Sequence, residues 1–404
     1  SLGSLEEMDL SESENLTEIP DLSKATNLKR LYLNGCKSLV TLPSTIGNLQ
    51  RLETLEMKEC TGLEVLPTDV NLSSLETLDL SGCSSLRTFP LISTSIECLY
   101  LENTAIEEVP CCIENFSRLK ILNMSGCKKL KNISPNIFRL TWLKKVDFTD
   151  CGGVISALSD STVVATMDDH YEKIEKMRTR DDDVEDDYNE DDENEDEDEY
   201  NENTDVEDED EDEEDEDDDD EDEDEDEEED DEEEDEDEDN YFNFQNCFKL
   251  DRDARELILR SCFKPLALPG GEIPKCFTYR AYGDSLTVTL PQSSLSQEFL
   301  RFKACVVVEP LTEGESWDLY LEVNVGFNGK QYQKSFFEDA ELQNCKTDHL
   351  FFCSFKFESE MLVNDVEFKF CCSNRIKECG VRLLYVSQET EYNQQTTRSK
   401  KRMR

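Results

Sequence analysis

Two histidines in 404 residues, His170 and His349, and no Cys-x-x-Cys pair among 17 cysteines leave little from which to assemble a zinc site. The thiols are odd in number and spread over the whole chain, which argues against a disulfide framework and for a reducing compartment. Long apolar runs are missing too. No stretch approaches the eighteen or so residues of a membrane span, and no secretory signal is visible. A G-x-x-x-x-G-K-[ST] phosphate loop is absent, and neither histidine has a Ser or Cys elbow beside it. No catalytic, cofactor-binding or metal-binding residue is therefore expected, and the chain reads as a non-enzyme.

What is present in excess is acid. The formal net charge is −57, yet 50 of the 59 positions in residues 181–239 are Asp or Glu. Removing them leaves 98 − 50 = 48 acidic residues against 41 basic ones, a net of −7, so the extreme acidity belongs to one insert. Such a tract cannot bury enough apolar area to offset the entropy of ordering, and it is expected to be a disordered linker between folded parts. As a calcium site it lacks the glycine and spacing of a loop.

The first third is organised by a repeat. Leu28-x-x-Leu31-x-Leu33-x-x-Cys36 is its clearest line, and the phrase recurs at starts 5, 28, 52, 75, 96, 119 and 143. A period in the low twenties with L-x-x-L-x-L-x-x-Cys is the leucine-rich-repeat pattern, whose units bury their apolar edges on one another. The L-x-L alternation sends Leu31 and Leu33, Leu55 and Met57, Leu78 and Leu80 inward from a short strand. Cys36, Cys60, Cys83, Cys127 and Cys151 fall at the following turn, where a small buried group able to donate to a carbonyl is needed, so they read as structural. Leu42-Pro43, Leu66-Pro67, Phe89-Pro90 and Val109-Pro110 mark the exits toward the convex side. Five Asn-x-Ser/Thr triplets, at Asn15, Asn71, Asn115, Asn123 and Asn132, are by-products of this phrase. The chain opens without Met in the middle of a repeat, which reads as the back part of something longer. After Val154 the pattern is lost, and a capping segment with a helical turn through Tyr171, Ile174 and Met177 is expected.

The residues between the inward ones define a candidate protein-binding face: Arg30, Tyr32, Asn34, Glu56, Lys58, Asp79, Tyr100, Glu102, Ile121, Asn123, Lys145 and Asp147. Seven strands at about 4.8 Å spacing make a stripe of roughly 30 Å, the size of an ordinary interface. Tyr32, Tyr100 and Ile121 are its anchors, and the charges around them tune partner choice.

Beyond the tract, Leu250, Ala254, Leu257 and Ile258 share a helical face, and Leu268-Pro269-Gly270-Gly271-Glu272-Ile273-Pro274 reads as a rigid bend. Period-two alternation then predicts strands over 285–290, 302–309, 317–327, 330–336, 350–357, 365–372 and 380–386, with Asn328-Gly329 as a tight hairpin. The fold class is α+β and multi-domain: a solenoid over residues 1–165, a cap and acidic tract over 166–240, a mostly-β sandwich over 241–390, and a basic tail over 391–404. The tail, Arg398-Ser-Lys-Lys-Arg-Met-Arg404, reads as an exposed end, with a nuclear-import patch as the alternative.

Two regions resemble one family. Leu42-Pro43-Ser-Thr-Ile46-Gly-Asn48-Leu49-Gln-Arg-Leu52-Glu-Thr-Leu55 and Leu80-Ser81-Gly82-Cys83 resemble the repeats of plant intracellular immune receptors of the TIR, nucleotide-binding and leucine-rich-repeat class. Asn246-Cys247-Phe248-Lys249-Leu250-Asp251 with Ala254-Arg255, followed by Leu268–Pro274, resembles the opening of the C-terminal jelly-roll/Ig-like (C-JID) domain of that class. The resemblance implies recognition of a pathogen effector or a guarded host protein by the repeats and the β-domain, intramolecular contact with an upstream nucleotide-binding module, and a cytoplasmic location. The family's TIR NAD-cleaving and nucleotide-binding modules have no counterpart in these residues. A different function would come from the tract, as an acidic scaffold or histone-chaperone-like protein holding basic partners by charge. Nucleic-acid binding is disfavoured by the tract's field, and no membrane partner is expected.

Overall fold

In every repeat the inward leucines meet the same three constraints: a strand too short to bury itself, a turn that must reverse direction, and a return path across the convex side. The computed structural model describes residues 2–152, 154–155, 240–262, 264–290, 299–310, 320–337, 345–358 and 365–384. The strands of the repeat region are β1 (Glu7–Asp9), β2 (Arg30–Tyr32), β3 (Thr54–Glu56), β4 (Thr77–Asp79), β5 (Cys98–Tyr100), β6 (Glu108–Val109), β7 (Ile121–Asn123), β8 (Asn132–Ile133), β9 (Lys145–Asp147), β10 (Val154–Ile155) and β11 (Tyr241–Asn243). β1, β2, β3, β4, β5, β7, β9 and β11 form one parallel ladder, while β6, β8 and β10 pair on the other side of the coil. The register advances one repeat per strand, with Leu31 opposite Leu55, Leu55 opposite Leu78, and Leu78 opposite Leu99. Those leucines, and Leu33, Met57 and Leu80 two places on, are fully buried.

The turns behave as the cysteine positions predict. Cys36 Sγ donates to Leu10 O at 3.3 Å, Cys60 to Leu33 O at 3.0 Å, Cys83 to Met57 O at 3.0 Å and Cys151 to Met124 O at 2.9 Å. Each thiol thus satisfies a carbonyl of the preceding repeat that the solenoid has taken from water. The residue before it is left-handed: Gly35, Gly82 and Gly126 have φ of 71°, 77° and 73°. After the Leu-Pro exits come short 3-10 turns at Ser44–Asn48 and Cys111–Asn115. The displaced proline of the sixth repeat, Pro135, starts a third such turn with Ser134 as its cap.

Past the acidic tract the solenoid resumes for one more unit. β11 pairs in parallel with β9, placing Phe242 opposite Val146, and Cys247 Sγ donates to Phe148 O at 2.9 Å. Phe242-Asn-Phe244-Gln-Asn-Cys247-Phe-Lys-Leu250 is therefore an eighth repeat written with Phe for Leu. Stacked rings, Phe148 on Phe244 at 5.3 Å and Phe138 on Phe242 at 5.7 Å, join it to the seventh. The two parts expected to stand apart across a linker share one sheet, and the insert leaves and re-enters a single repeat on its return path.

Helix α1 (Arg252–Ser261) follows, with the Asp251 carboxylate accepting from Ala254 N at 2.7 Å. Next come β12 (Leu266–Pro269), β13 (Tyr279–Tyr282), β14 (Ser285–Thr289), β15 (Phe299–Val308), β16 (Leu321–Phe327), β17 (Lys330–Phe336), β18 (His349–Glu358), β19 (Asp365–Cys372) and β20 (Ile376–Leu384). β12 is parallel to β11 on one side and antiparallel to β18 on the other, so it turns the solenoid ladder into the sheet β12-β18-β15-β20-β13. The beginning of the expected bend is thus a strand, because Leu266, Ala267 and Leu268 are buried without alternation. β14-β19-β16-β17 form a second sheet, and an apolar cluster that includes Phe302, Phe351, Phe355, Phe368 and Phe370 draws on both. Among the described residues α1 is the α-helix and the rest of the regular structure is mostly β. The capping turn through Tyr171, Ile174 and Met177, His170, the tract at 181–239, the start of the 317–327 strand and the basic tail lie outside the described residues.

Candidate functional site

The in-register ladder converts sequence positions into two rows of outward side chains. One runs Arg30, Thr54, Thr77, Cys98, Ile121, Lys145 and Tyr241; the next Tyr32, Glu56, Asp79, Tyr100, Asn123, Asp147 and Asn243. Neighbours within a row are one strand spacing apart, about 4.8 Å, so polar groups 21–24 residues distant in sequence touch.

The centre of the face is one run of hydrogen bonds and ion pairs. Asn34 Nδ2 donates to Glu56 Oε2 at 3.1 Å, Lys58 Nζ bridges Glu56 at 3.7 Å and Asp79 at 3.2 Å, and Ser81 Oγ joins Asp79 at 2.6 Å to Glu102. Asn123 Nδ2 closes the run on the other oxygen of Glu102 at 2.7 Å. Burial alone would lower the Lys58 ammonium, but Asp79 and Glu56 outweigh it and hold it above its usual range. Burial holds Glu102 above the usual carboxylate range against the opposing pull of the Ser81 hydroxyl, and the charges of Asp79 and Asp147 add to burial. Burial likewise raises Tyr100.

Of the twelve nominated residues, this run joins Asn34, Glu56, Lys58, Asp79, Glu102 and Asn123. Arg30 is tied at 2.7 Å to Glu7 on the adjoining strand, and Tyr32, Tyr100, Ile121, Lys145 and Asp147 are half-buried along the rows. Three of the twelve also have a local duty that needs no partner. Asp79, Asn123 and Asp147 accept from the amide two residues on (Ser81 N 3.0 Å, Ser125 N 3.0 Å, Thr149 N 2.7 Å), the turn that ends each strand. Asp79 is 7% exposed and so offers less to a partner than its outward direction suggests.

Sequence reasoning missed the end wall of this face. Asn243 and Gln245 continue the rows but are buried, and Gln245 Nε2 lies 3.2 Å from Cys345 Sγ in the loop before β18. Lys346 Nζ of the same loop pairs with Asp150 at 2.5 Å. The signal was present as Phe-x-Phe-x-Asn-Cys, hidden by the change from Leu to Phe and by the insert before it. A second concavity of about 1010 Å³ lies at the end of the β-domain, where Tyr282 stands 89% exposed. Its Arg375 and Lys377 are already paired with Glu309 and Asp348.

Residues 268–390 match the model of the C-JID domain and residues 27–49 that of the Leucine Rich Repeat. Over its whole length the chain is 59% identical to the Disease resistance protein RPP5 of Arabidopsis thaliana, covering 32% of that protein. The chain carries leucine-rich repeats and a C-JID domain, and over its whole length it is similar to plant disease resistance proteins. It is 54% identical to the Protein SUPPRESSOR OF npr1-1, CONSTITUTIVE 1 of the same plant, over 97% of this chain and 29% of that one. It is 77% identical to the Disease resistance protein RPP4, over 42% of this chain and 15% of that one. The chain thus spans about a third or less of the length of these relatives. In these terms, β1 to β11 are repeats, and the C-JID match begins at Leu268 in β12, the strand that carries the repeat sheet onward.

Proposed function

We propose that this region is the protein-recognition part of a plant intracellular immune receptor, and that its concave repeat face and C-JID domain together engage a pathogen effector or a guarded host protein. The observation that carries the reading is the eight-strand ladder. Its outward side chains form a polar chain from Asn34 to Asn123, flanked by Tyr32 and Tyr100 and walled at one end by the loop before β18. Seven strand gaps of about 4.8 Å give a face of roughly 34 Å, enough for a standard protein interface.

On this reading the region is non-catalytic, and TIR and nucleotide-binding modules belong to the same receptor upstream. It works in the cytoplasm, with the basic tail as an exposed end and a nuclear address as the alternative. The β-domain has the jelly-roll/Ig-like arrangement, and the solenoid is counted through Leu250. Tyr32 and Tyr100 are the anchors, since half-buried aromatics lose little freedom on binding. Replacing both by Ala should weaken a cognate effector by about tenfold or more, while shifting the melting temperature by only a few degrees. Unchanged affinity removes the concave face from the reading. Binding that instead disappears on removal of residues 181–239 and at high salt assigns the activity to the acidic tract.

A further inference from the structure

Every left-handed turn of the solenoid hands its amide to the next repeat. Gly35 N donates to Lys58 O at 2.7 Å, Glu59 N to Ser81 O at 2.7 Å, Gly82 N to Glu102 O at 2.8 Å, Asn103 N to Ser125 O at 2.9 Å, Gly126 N to Thr149 O at 2.8 Å and Asp150 N to Gln245 O at 3.0 Å. The eighth turn, at Asn246 with φ of 58°, has no ninth repeat among the described residues to receive its amide. Asn246 N donates at 3.0 Å to Nε2 of His349, the first residue of β18. We infer that His349 stands in for the missing repeat's carbonyl and acts as an acid-labile latch between the last repeat and the C-JID domain.

The geometry fixes the tautomer. His349 Nδ1 lies 2.8 Å from Thr347 O and must donate to it, which leaves Nε2 without a proton and able to accept. Asn246 is held a second time, its Oδ1 accepting from Lys346 N at 3.1 Å. A second proton on the ring would face the Asn246 N–H donor-to-donor, inside a site where His349 is fully buried. Both groups would then lose their partner at once.

The charges around the ring are already spent. Asp348 beside it pairs with Lys377 of β20 at 2.8 Å, and Lys346 pairs with Asp150 of the seventh repeat. β12 and β15 meet His349 through Pro269 and Val308, which do not titrate, and the last turn adds the Phe248 ring edge at 6.4 Å and the exposed Lys249. Burial keeps the ring below its usual range against the opposing pull of Thr347 O and Asp348. Because its folded value is depressed, the latch is intact above the ordinary histidine range near pH 6.5 and weakens as pH falls below it. Opening it would release the loop at 345–348 from the end of the concave face, where Gln245 and Asn246 are buried under it.

The test is hydrogen exchange on the whole chain, corrected for intrinsic rates, together with the ¹³Cε1 spectrum of labelled histidine, which holds two resonances because the chain has two histidines. Protection in the peptide containing Asn246 should fall about tenfold or more between about pH 7.5 and pH 5, while β15 amides keep theirs. His349→Gln places an oxygen acceptor near the Nε2 position and cannot take up the proton, so its protection there should be independent of pH. Protection that stays flat in the natural chain overturns the latch, as does a loss shared equally by β15 or an equal loss in His349→Gln. His170→Gln assigns the resonances and should leave the exchange unchanged.

Discussion

If β11 is the eighth repeat, the 240 − 155 = 85 residues between Ile155 and Tyr241 replace a return path that in the sixth repeat takes 144 − 133 = 11 residues, from Ile133 to Lys145. Substituting residues 156–240 by a copy of the eleven residues 134–144 should therefore stabilise the fold. Loop closure costs (3/2)RT ln n, so shortening 85 to 11 returns about 1.8 kcal/mol. Removing 50 carboxylates adds to this at low salt and adds less as salt rises. With a urea dependence of about 3 kcal/mol/M, the midpoint moves up by about 0.6 M. The assay is urea unfolding followed both by far-UV circular dichroism and by tryptophan fluorescence, which reports on Trp142 and Trp317 and, in the variant, on the tryptophan copied with residues 134–144. Coincident transitions at higher urea are expected. A lower midpoint, or separation into two transitions, would refute the reasoning, because an eleven-residue path can join β10 to β11 without strain only if β9 and β11 belong to successive repeats.

Three further outcomes follow from the same structure. Cys83→Val adds a carbon to a packed turn and removes the 3.0 Å thiol donor from Met57 O, leaving it only the longer bond from Cys60 N, and chemical denaturation should show a loss of about 1–2 kcal/mol. Glu102→Gln should stabilise the chain near neutral pH. Its folded value is raised, so its contribution is lost as pH rises from the ordinary carboxylate range through that value, and melting curves of the two proteins should converge in acid. Lys303, 3% exposed and pushed down to about 8 by burial, donates to Leu259 O at 2.9 Å and Cys262 O at 2.7 Å at the end of α1. Lys303→Met gives up two charge-assisted bonds and regains desolvation, for a net loss of about 1–3 kcal/mol by thermal unfolding.

The repeat was legible because its rule is local. Leu28, Leu31, Leu33 and Cys36 state one turn of the coil, and a period near 23 states the stacking, so the inward residues and the thiol donors could be assigned from spacing alone. The strand 365–372 was legible from its own alternation, and 330–336 because Asn328-Gly329 returns the chain along the strand before it. β12 and β13 were not. β12, four residues buried on both faces, carries no alternation, and the glycines and prolines after Leu268 speak more strongly than the three apolar residues before them; β13 alternates between half-buried and exposed, but four residues are too short a run to read.

The candidate face was half legible. Which side chains point outward follows from L-x-L. Which of them are free does not, because that depends on neighbours 21 to 24 residues away: Lys58 is spent on Glu56 and Asp79, and Asp79 on Ser81.

By itself the sequence determined a leucine-repeat coil, an acidic insert and a β-rich domain, since each is a matter of period or composition. Only the tertiary structure decided that the insert interrupts a repeat, that Phe242 to Leu250 completes the coil, and that His349, about a hundred residues further on, closes it. Those are contacts between segments with no shared period, and what selects them is the need of a last left-handed turn for an acceptor that the chain's own repeat can no longer supply.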